Sequence, residues 1–185
     1  MTDTGDRLKD PDWRHVVRIY AAYGLRAYPN LSLLPEGVAY ARGRAALGFD
    51  PPGAHPLALH DLAHWMVAPE WRRGAVNFGL GPHPTVEETG RAPELVRDAL
   101  ITAEEALVSD LNVALVDFYF DRRKAARVAD YLSCQDGVGI GPETLFTPGR
   151  FNQSAATAAR FRARLEARGL LRGGRFEFKE VPRGD

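Results

Sequence analysis

PELVRDALITAEEALVSDLNVALVDF, residues 93–118, carries the strongest helical pattern in the chain. Leu100, Ala103, Leu107, Leu111 and Ala114 recur at the three- and four-residue spacing that lines up one face of a helix, which predicts an apolar stripe. Inside it, AEEALVSD (103–110) sets Glu104 and Glu105 side by side, with Asp110 a few residues on. A carboxylate on the buried side of a helix is costly unless it is paired or binds a metal. Glu104 shares its face with Ile101, Val108 and Leu111, which predicts that it inserts more deeply. Glu105 shares a face with Thr102, Ser109 and Asn112, a polar stripe suited to lining a wet pocket.

Upstream, HPLALHDLAHWMVAP (55–69) is a short apolar stretch that opens with Pro56 and stops at Pro69. As a helix it projects His60 and His64 from one face about one turn apart, the spacing at which two imidazoles grip one metal ion. Idle imidazoles in so apolar a helix would be costly to bury. Asp61 stands where the zinc-hydrolase motif H-E-x-x-H carries its general-base glutamate. A third protein ligand is needed, usually a carboxylate, and the long helix offers Glu104, Glu105 and Asp110. Two histidines with one carboxylate suit both catalytic zinc and the facial triad of non-haem iron enzymes.

Around this pair of helices the chain reads as one mostly helical α+β domain with a small sheet. Residues 1–10 are polar and expected to be flexible, and the domain is expected to span 11–185. Asp10 followed by Pro11 is an N-cap with proline at the first helical position; Val16, Ile19, Tyr20 and Tyr23 supply the apolar face and Gly24 the stop. RAYPNLSLLPEGVAYARG (26–43) reads as short extended pieces, and DPPGAHP (50–56) as a turn cluster. EWRRGAVNFGLGPHPTVEETG (70–90) is glycine-rich and irregular, with a helical turn near Trp71–Ala75. Further helices are expected at Asp121–Leu132 and from Ser154 to Gly169. RFEFKEV (175–181) alternates with period two and reads as a final strand.

Composition narrows the function classes. Lysine plus arginine and aspartate plus glutamate both number 24, so zero net charge makes no global case for nucleic acid or a membrane surface. A single cysteine, Cys134, excludes an internal disulfide framework and reads as a small buried hydrophobe. The polar N-terminus MTDTGDRLKDPDW does not read as a leader, and the absence of a long apolar run predicts a cytoplasmic protein. Arg150, Arg160, Arg162, Arg164, Arg168, Arg172 and Arg175 make the last quarter basic. They read as a solvated helix face, with docking of an acidic protein partner as the alternative.

HDLAHWMVAPEWRRGAVNFG (60–79) resembles the bacterial elongation factor P hydroxylase family, whose members carry HE-x-x-HW-x-[IV]-A-G-x-x-RR-x-x-x-DFG. The matching residues are His60, His64, Trp65, Val67, Ala68, Arg72, Arg73, Phe78 and Gly79, in order and without gaps. The likeness covers about residues 55–116 and is weaker outside the histidine segment. It implies a hydroxylase with a two-histidine, one-glutamate iron(II) site, acting on a modified lysine of elongation factor P. Carried over, His60 and His64 are ligands, Glu105 aligns best with the family glutamate, and Asp61 becomes an acid/base group beside the metal. Departures are Asp61 for the family glutamate, Asn77 for the aspartate before Phe-Gly, Leu80-Gly81-Pro82 for an aromatic run, and HPTVEETGRAPEL (83–95) for an acidic connection. They fall where a substrate would be read.

Arg72 and Arg73 are candidate substrate-binding residues, because a guanidinium forks onto carboxylate or phosphate. His55 and His83 are candidate extra ligands or acid/base groups, and Trp65 reads as core packing. Three function classes follow: an iron-dependent hydroxylase of a protein side chain, a zinc hydrolase with Asp61 as base, and a non-catalytic metal-stabilised interaction domain.

Overall fold

A computed structural model describes residues 9–28, 34, 40–47, 58–74, 76, 98–136 and 155–184. Helix α1 (Pro11–Ala22) starts where the Asp10 carboxylate accepts the Asp12 backbone N–H at 2.8 Å, with Pro11 at the first helical position. The Lys9 carbonyl accepts from the Arg14 guanidinium at 2.9 Å. Residues 1–8 lie outside the described residues. Gly24, at φ +80°, ends the helix, its N–H reaching the Ala21 carbonyl at 2.9 Å. Trp13, Val16, Ile19 and Tyr20 are buried, close to the expected apolar face.

The extended pieces form a three-stranded sheet of β1 (Arg26–Tyr28), β2 (Tyr40–Ala41) and β3 (Arg44–Ala46) in the order β1-β3-β2. β1 runs parallel to β3, and β2 pairs antiparallel with β3 through a two-residue turn. That turn places Arg42 at φ 47° and Gly43 at φ 83°, the doubly left-handed geometry that matches strand twist in tight hairpins.

Helix α2 (Leu59–Val67) carries the two histidines and is followed after Pro69 by the single turn α3 (Glu70–Arg73). Tyr20 in α1 donates its hydroxyl to the Ala58 carbonyl at 2.5 Å and so fixes the entry into α2. Leu59, Leu62, Ala63, Met66 and Val67 are fully buried, chiefly against helix α4 (Asp98–Tyr119). The predicted single stripe on α4 is replaced by burial around most of the helix, with Glu105, Ala114 and Asp117 partly exposed and Phe118 exposed. Val108, Ser109, Leu111, Asn112, Leu115 and Val116 are all completely enclosed. The cause is its position: α2 covers one flank and α5 (Arg122–Asp136) another, so apolar contact is spread over much more than one stripe. Ala114 of the predicted stripe is only half-buried, while Leu100 and Ala103 fall outside the described side chains. α5 is capped by Asp121, whose carboxylate accepts the Lys124 N–H at 2.7 Å, and it runs four residues past the expected end.

Helix α6 (Ala155–Ala167) leads through Gly169, at φ +67°, into a hairpin of β4 (Leu171–Arg172) and β5 (Arg175–Phe176). The predicted final strand over 175–181 pairs only at Arg175 and Phe176. The Glu177 N–H extends the pairing by one bond to the Leu170 carbonyl at 3.0 Å, and from there the chain is a strap held by hydrogen bonds that involve side chains. The Lys179 N–H donates to the Tyr23 hydroxyl at 3.1 Å, the Tyr119 hydroxyl donates to the Lys179 carbonyl at 2.7 Å, and Arg183 donates to the Phe120 carbonyl at 2.6 Å.

Two arginines of the basic C-terminal quarter turn inward. Arg164 donates to the Val67 carbonyl at 2.5 Å, and Arg168 donates to the carbonyls of Met66 and, at 2.6 Å, Ala68. From α3, Arg73 donates Nε to the Trp65 carbonyl at 2.9 Å. The carbonyls at the end of α2 have no partners within their own helix, and positive charge there also complements the helix dipole. The expectation of a solvated face therefore fails for Arg164 and Arg168. Arg160, Arg162, Arg172 and Arg175 are exposed, and Arg150 lies outside the described residues.

The described residues form a mostly helical α+β fold, and no helix among them is long and apolar enough to cross a membrane. Removing the cap at the end of α2 should show in stability. Arg168→Ala is expected to cost about 1–3 kcal/mol through two charge-assisted hydrogen bonds, whereas the exposed Arg172→Ala stays within about 0.5 kcal/mol, as read by urea unfolding.

Candidate metal centre

His60 and His64 project from the same face of α2, their rings 4.8 Å apart and nearly perpendicular. The packing of α2 on α4 sets this face against Glu104 and Glu105. Glu105 Oε2 lies 3.6 Å from His60 Nε2 and 3.4 Å from His64 Nε2. These separations exceed those of a good hydrogen bond, for which N···O is about 2.7–3.2 Å. They match instead the edge of a coordination shell: ligand atoms about 2.0–2.2 Å from one ion in tetrahedral array stand roughly 3.3–3.6 Å apart. One ligand atom from each of the three residues can be chosen so that all lie within 4.8 Å of one another. His60, His64 and Glu105 therefore fit a divalent metal in spacing and in donor chemistry, an imidazole–imidazole–carboxylate set with room for further ligands.

Burial is uneven across the set. The His64 side chain is 1% exposed, while those of His60 and Glu105 are 27% and 30% exposed, so the centre opens to solvent along the His60–Glu105 edge. Burial disfavours the charged form of His64, but the carboxylates of Glu104 and Glu105 facing its two ring nitrogens outweigh it and lift its pKa from 6.5 to about 9. Burial opposes ionisation of Glu105 too, yet His60 and His64 hold its carboxyl well below the usual range. Asp61, half-buried next to His60, has its carboxyl raised by burial, against the pull of His60 and His64 and with the help of Glu105.

The three carboxylates left open as third ligand have separate environments. Glu105 faces both histidine Nε2 atoms. Glu104 is 2% exposed, as its spacing predicted, and is gripped by the equally buried Arg72 through a two-pronged contact: Nη1 to Oε2 at 3.0 Å and Nη2 to Oε1. Its Oε1 also faces His64 Nδ1 at 3.6 Å. Asp110 borders a cavity of about 330 Å³ that it shares with Val113, Phe118, Phe176 and Phe178 and with none of the metal-site residues.

Both candidate substrate-binding arginines are committed within the protein. Arg72 holds Glu104, and Arg73 lays its guanidinium 3.7 Å over the Trp65 ring while bonding the Trp65 carbonyl. Arg72 uses both Nη atoms on Glu104, and Arg73 uses Nε on the helix end. Trp65 is half-buried against the core and meets Tyr23 edge-on at 6.5 Å. His55, His83 and the Asn77–Gly79 part of the histidine segment lie outside the described residues, as does the side chain of Cys134.

Local sequence reading missed two features: the Arg72–Glu104 pair and the Arg164–Arg168 cap. Partners 32 and about 100 residues apart leave no periodic trace. The one available signal was a carboxylate predicted to be deeply inserted, which demands a cation without saying which. Comparisons with family models, with curated proteins and with solved structures find no match for this chain.

Metal must displace the His64 proton, so affinity is linked to pH. Its raised pKa favours the metal-free fold below about 6.5, and that contribution is lost as pH rises through about 9. Zinc affinity should therefore rise about tenfold per pH unit from pH 7 to 9 and level off above. Competition titrations with a chromogenic chelator across pH 6.5–10 read this slope, and a flat profile would contradict ligation by His64.

Proposed function

We propose that this chain is a metal-dependent hydroxylase-like enzyme, using non-haem iron(II) at His60, His64 and Glu105, that acts on a protein lysine side chain such as that of elongation factor P. The observation that carries the reading is the convergence of the two imidazoles and one glutamate oxygen into a single coordination edge. The resemblance of residues 60–79 to the hydroxylase family supports iron over zinc, and it supports Glu105 over its neighbour. Iron(II), when bound, supplies the dioxygen activation that hydroxylation of a C–H bond requires.

The chain's own residues do the rest. His60 and Glu105 border the solvent-open edge, which is where a long, thin side chain enters. His64, enclosed against the core, is the ligand best insulated from exchange with water. Asp61 sits beside the first ligand with a carboxyl disposed to keep its proton, so it can hold or return one near the substrate. With no net charge overall, an acidic protein partner would be met locally, by the exposed Arg160 and Arg162 of α6 and Arg172 and Arg175 of the hairpin after it.

One observation favours a second reading, a zinc-dependent hydrolase. Asp61 follows the first histidine and its raised carboxyl suits a general base closer to neutral pH than an ordinary aspartate. Its arm is one methylene shorter than that of the usual glutamate, so the attacking water would have to stand nearer the helix.

Protein isolated without added metal is expected to contain iron and to consume oxygen when given a reductant and elongation factor P that carries the modified lysine. His60→Ala, at a half-exposed position, should fold as wild type and lose stoichiometric metal and all oxygen uptake, measured by elemental analysis and an oxygen electrode. Zinc without oxygen use would favour the hydrolase. Tight metal without turnover, with His60→Ala unfolding, would favour a metal-stabilised interaction domain.

A further inference from the structure

His64 is enclosed, and each of its ring nitrogens faces a different carboxylate: Nε2 faces Glu105 at 3.4 Å and Nδ1 faces Glu104 at 3.6 Å. The two glutamates are neighbours in sequence but are held differently. Both oxygens of Glu104 are taken by the Arg72 fork, and both residues of that pair are 2% exposed. Glu105 is partly exposed and faces the two histidines. A fork-to-fork pair between planar groups restricts rotation as well as position. Glu104 is thereby kept out of the coordination shell while its Oε1 stays aimed at His64.

His64 Nδ1 is buried and makes no hydrogen bond within normal distance among the described residues. If Nδ1 carried a lone pair, that lone pair would point at a carboxylate across a dry gap, a repulsive arrangement. If it carries the proton, the ring presents N–H to Glu104 and leaves the Nε2 lone pair for the metal. Metal-bound histidines generally donate their second ring N–H to such a partner, which fixes tautomer and ring orientation.

We propose that Glu104, clamped by Arg72, is the positioning residue of the metal centre, receiving the Nδ1–H of His64 so that Nε2 is presented to the ion. The proposal rests on the metal-centre reading above. It gives Arg72 a task as the anchor of the support rather than a contact to substrate, and it explains why a carboxylate adjacent to the true ligand is buried beside it.

Zinc, being diamagnetic, is the probe. In zinc-loaded wild-type protein, long-range proton–nitrogen correlation spectra of the imidazoles should show His64 bound through Nε2 with a protonated Nδ1. Coordination through Nδ1 overturns the proposal without any variant. Removing one partner of a buried pair strands the other charge and costs stability, so the informative variant replaces both. Arg72→Met/Glu104→Met keeps the volume and should unfold cooperatively near wild type. It is expected to bind zinc roughly 10–100-fold more weakly, and its metal-free spectra at a pH high enough for His64 to be neutral should show mixed tautomers. A folded double variant with wild-type zinc affinity and an unchanged tautomer overturns the positioning role and leaves the metal centre standing. Wild-type protein that takes up no zinc overturns the metal centre itself and this role with it.

Discussion

Two adjacent carboxylates on a helix buried around most of its circumference set the terms for everything around them. Glu104 and Glu105 bring two negative charges to the face of α4 that packs on α2, where water is scarce. Unpaired charges in such a place are not tolerated, and like charges on neighbouring residues add to the difficulty. The fold answers with one solution for each. Glu104 meets a buried guanidinium from α3, and Glu105 meets the two imidazoles of α2. The first arrangement is closed, with fork matched to carboxylate. The second is open: the Glu105 oxygen stands 3.4–3.6 Å from the two histidine Nε2 atoms, a spacing that fits a shared cation.

That division depends on how firmly α2 is held. The helix has nine residues and too few turns to be stable alone. At its start the Tyr20 hydroxyl binds the Ala58 carbonyl, and at its end Arg73, Arg164 and Arg168 satisfy the carbonyls of residues 65–68. Three different elements thus fix the helix: α1, α3 and α6 with the turn that follows it. Crowding of these cations has a cost. Arg168 is half-buried close to Arg73 and Arg164, and burial together with that repulsion lowers its pKa to about 10. The C-terminal strap adds a further tie through Tyr23 and Tyr119, which connects α1 to the far end of α4.

Much of this was legible from local pattern. The start of α1 was readable because Asp10 and Pro11 satisfy the first-turn backbone with no outside help. The histidine face of α2 and the deeper insertion of Glu104 followed from helical spacing, which depends only on residues a few positions apart. The stripe on α4 was misread because a run of Val, Leu and Ala cannot say how many neighbours will cover it. The final strand was over-read for a related reason: alternation over 175–181 describes side-chain facing, whereas a ladder needs a partner strand, and the one it meets among the described residues, Leu171–Arg172, is two residues long. The arginines were taken as solvated because a helix face is assigned to water by default, until another helix end presents carbonyls to it.

The sequence by itself determined that two imidazoles share one helix face, that two carboxylates share a largely apolar helix, and that the fold is mostly helical with a minor sheet. These are consequences of periodicity and turn chemistry, which act within a few residues. Only the tertiary structure decided which carboxylate meets the histidines. The choice turns on Arg72, 32 residues before Glu104, whose charge and forked geometry claim one glutamate and leave the other facing the open edge of the site. Long-range electrostatic pairing of this kind is settled when helices pack, because only then do buried charges find out what lies opposite them.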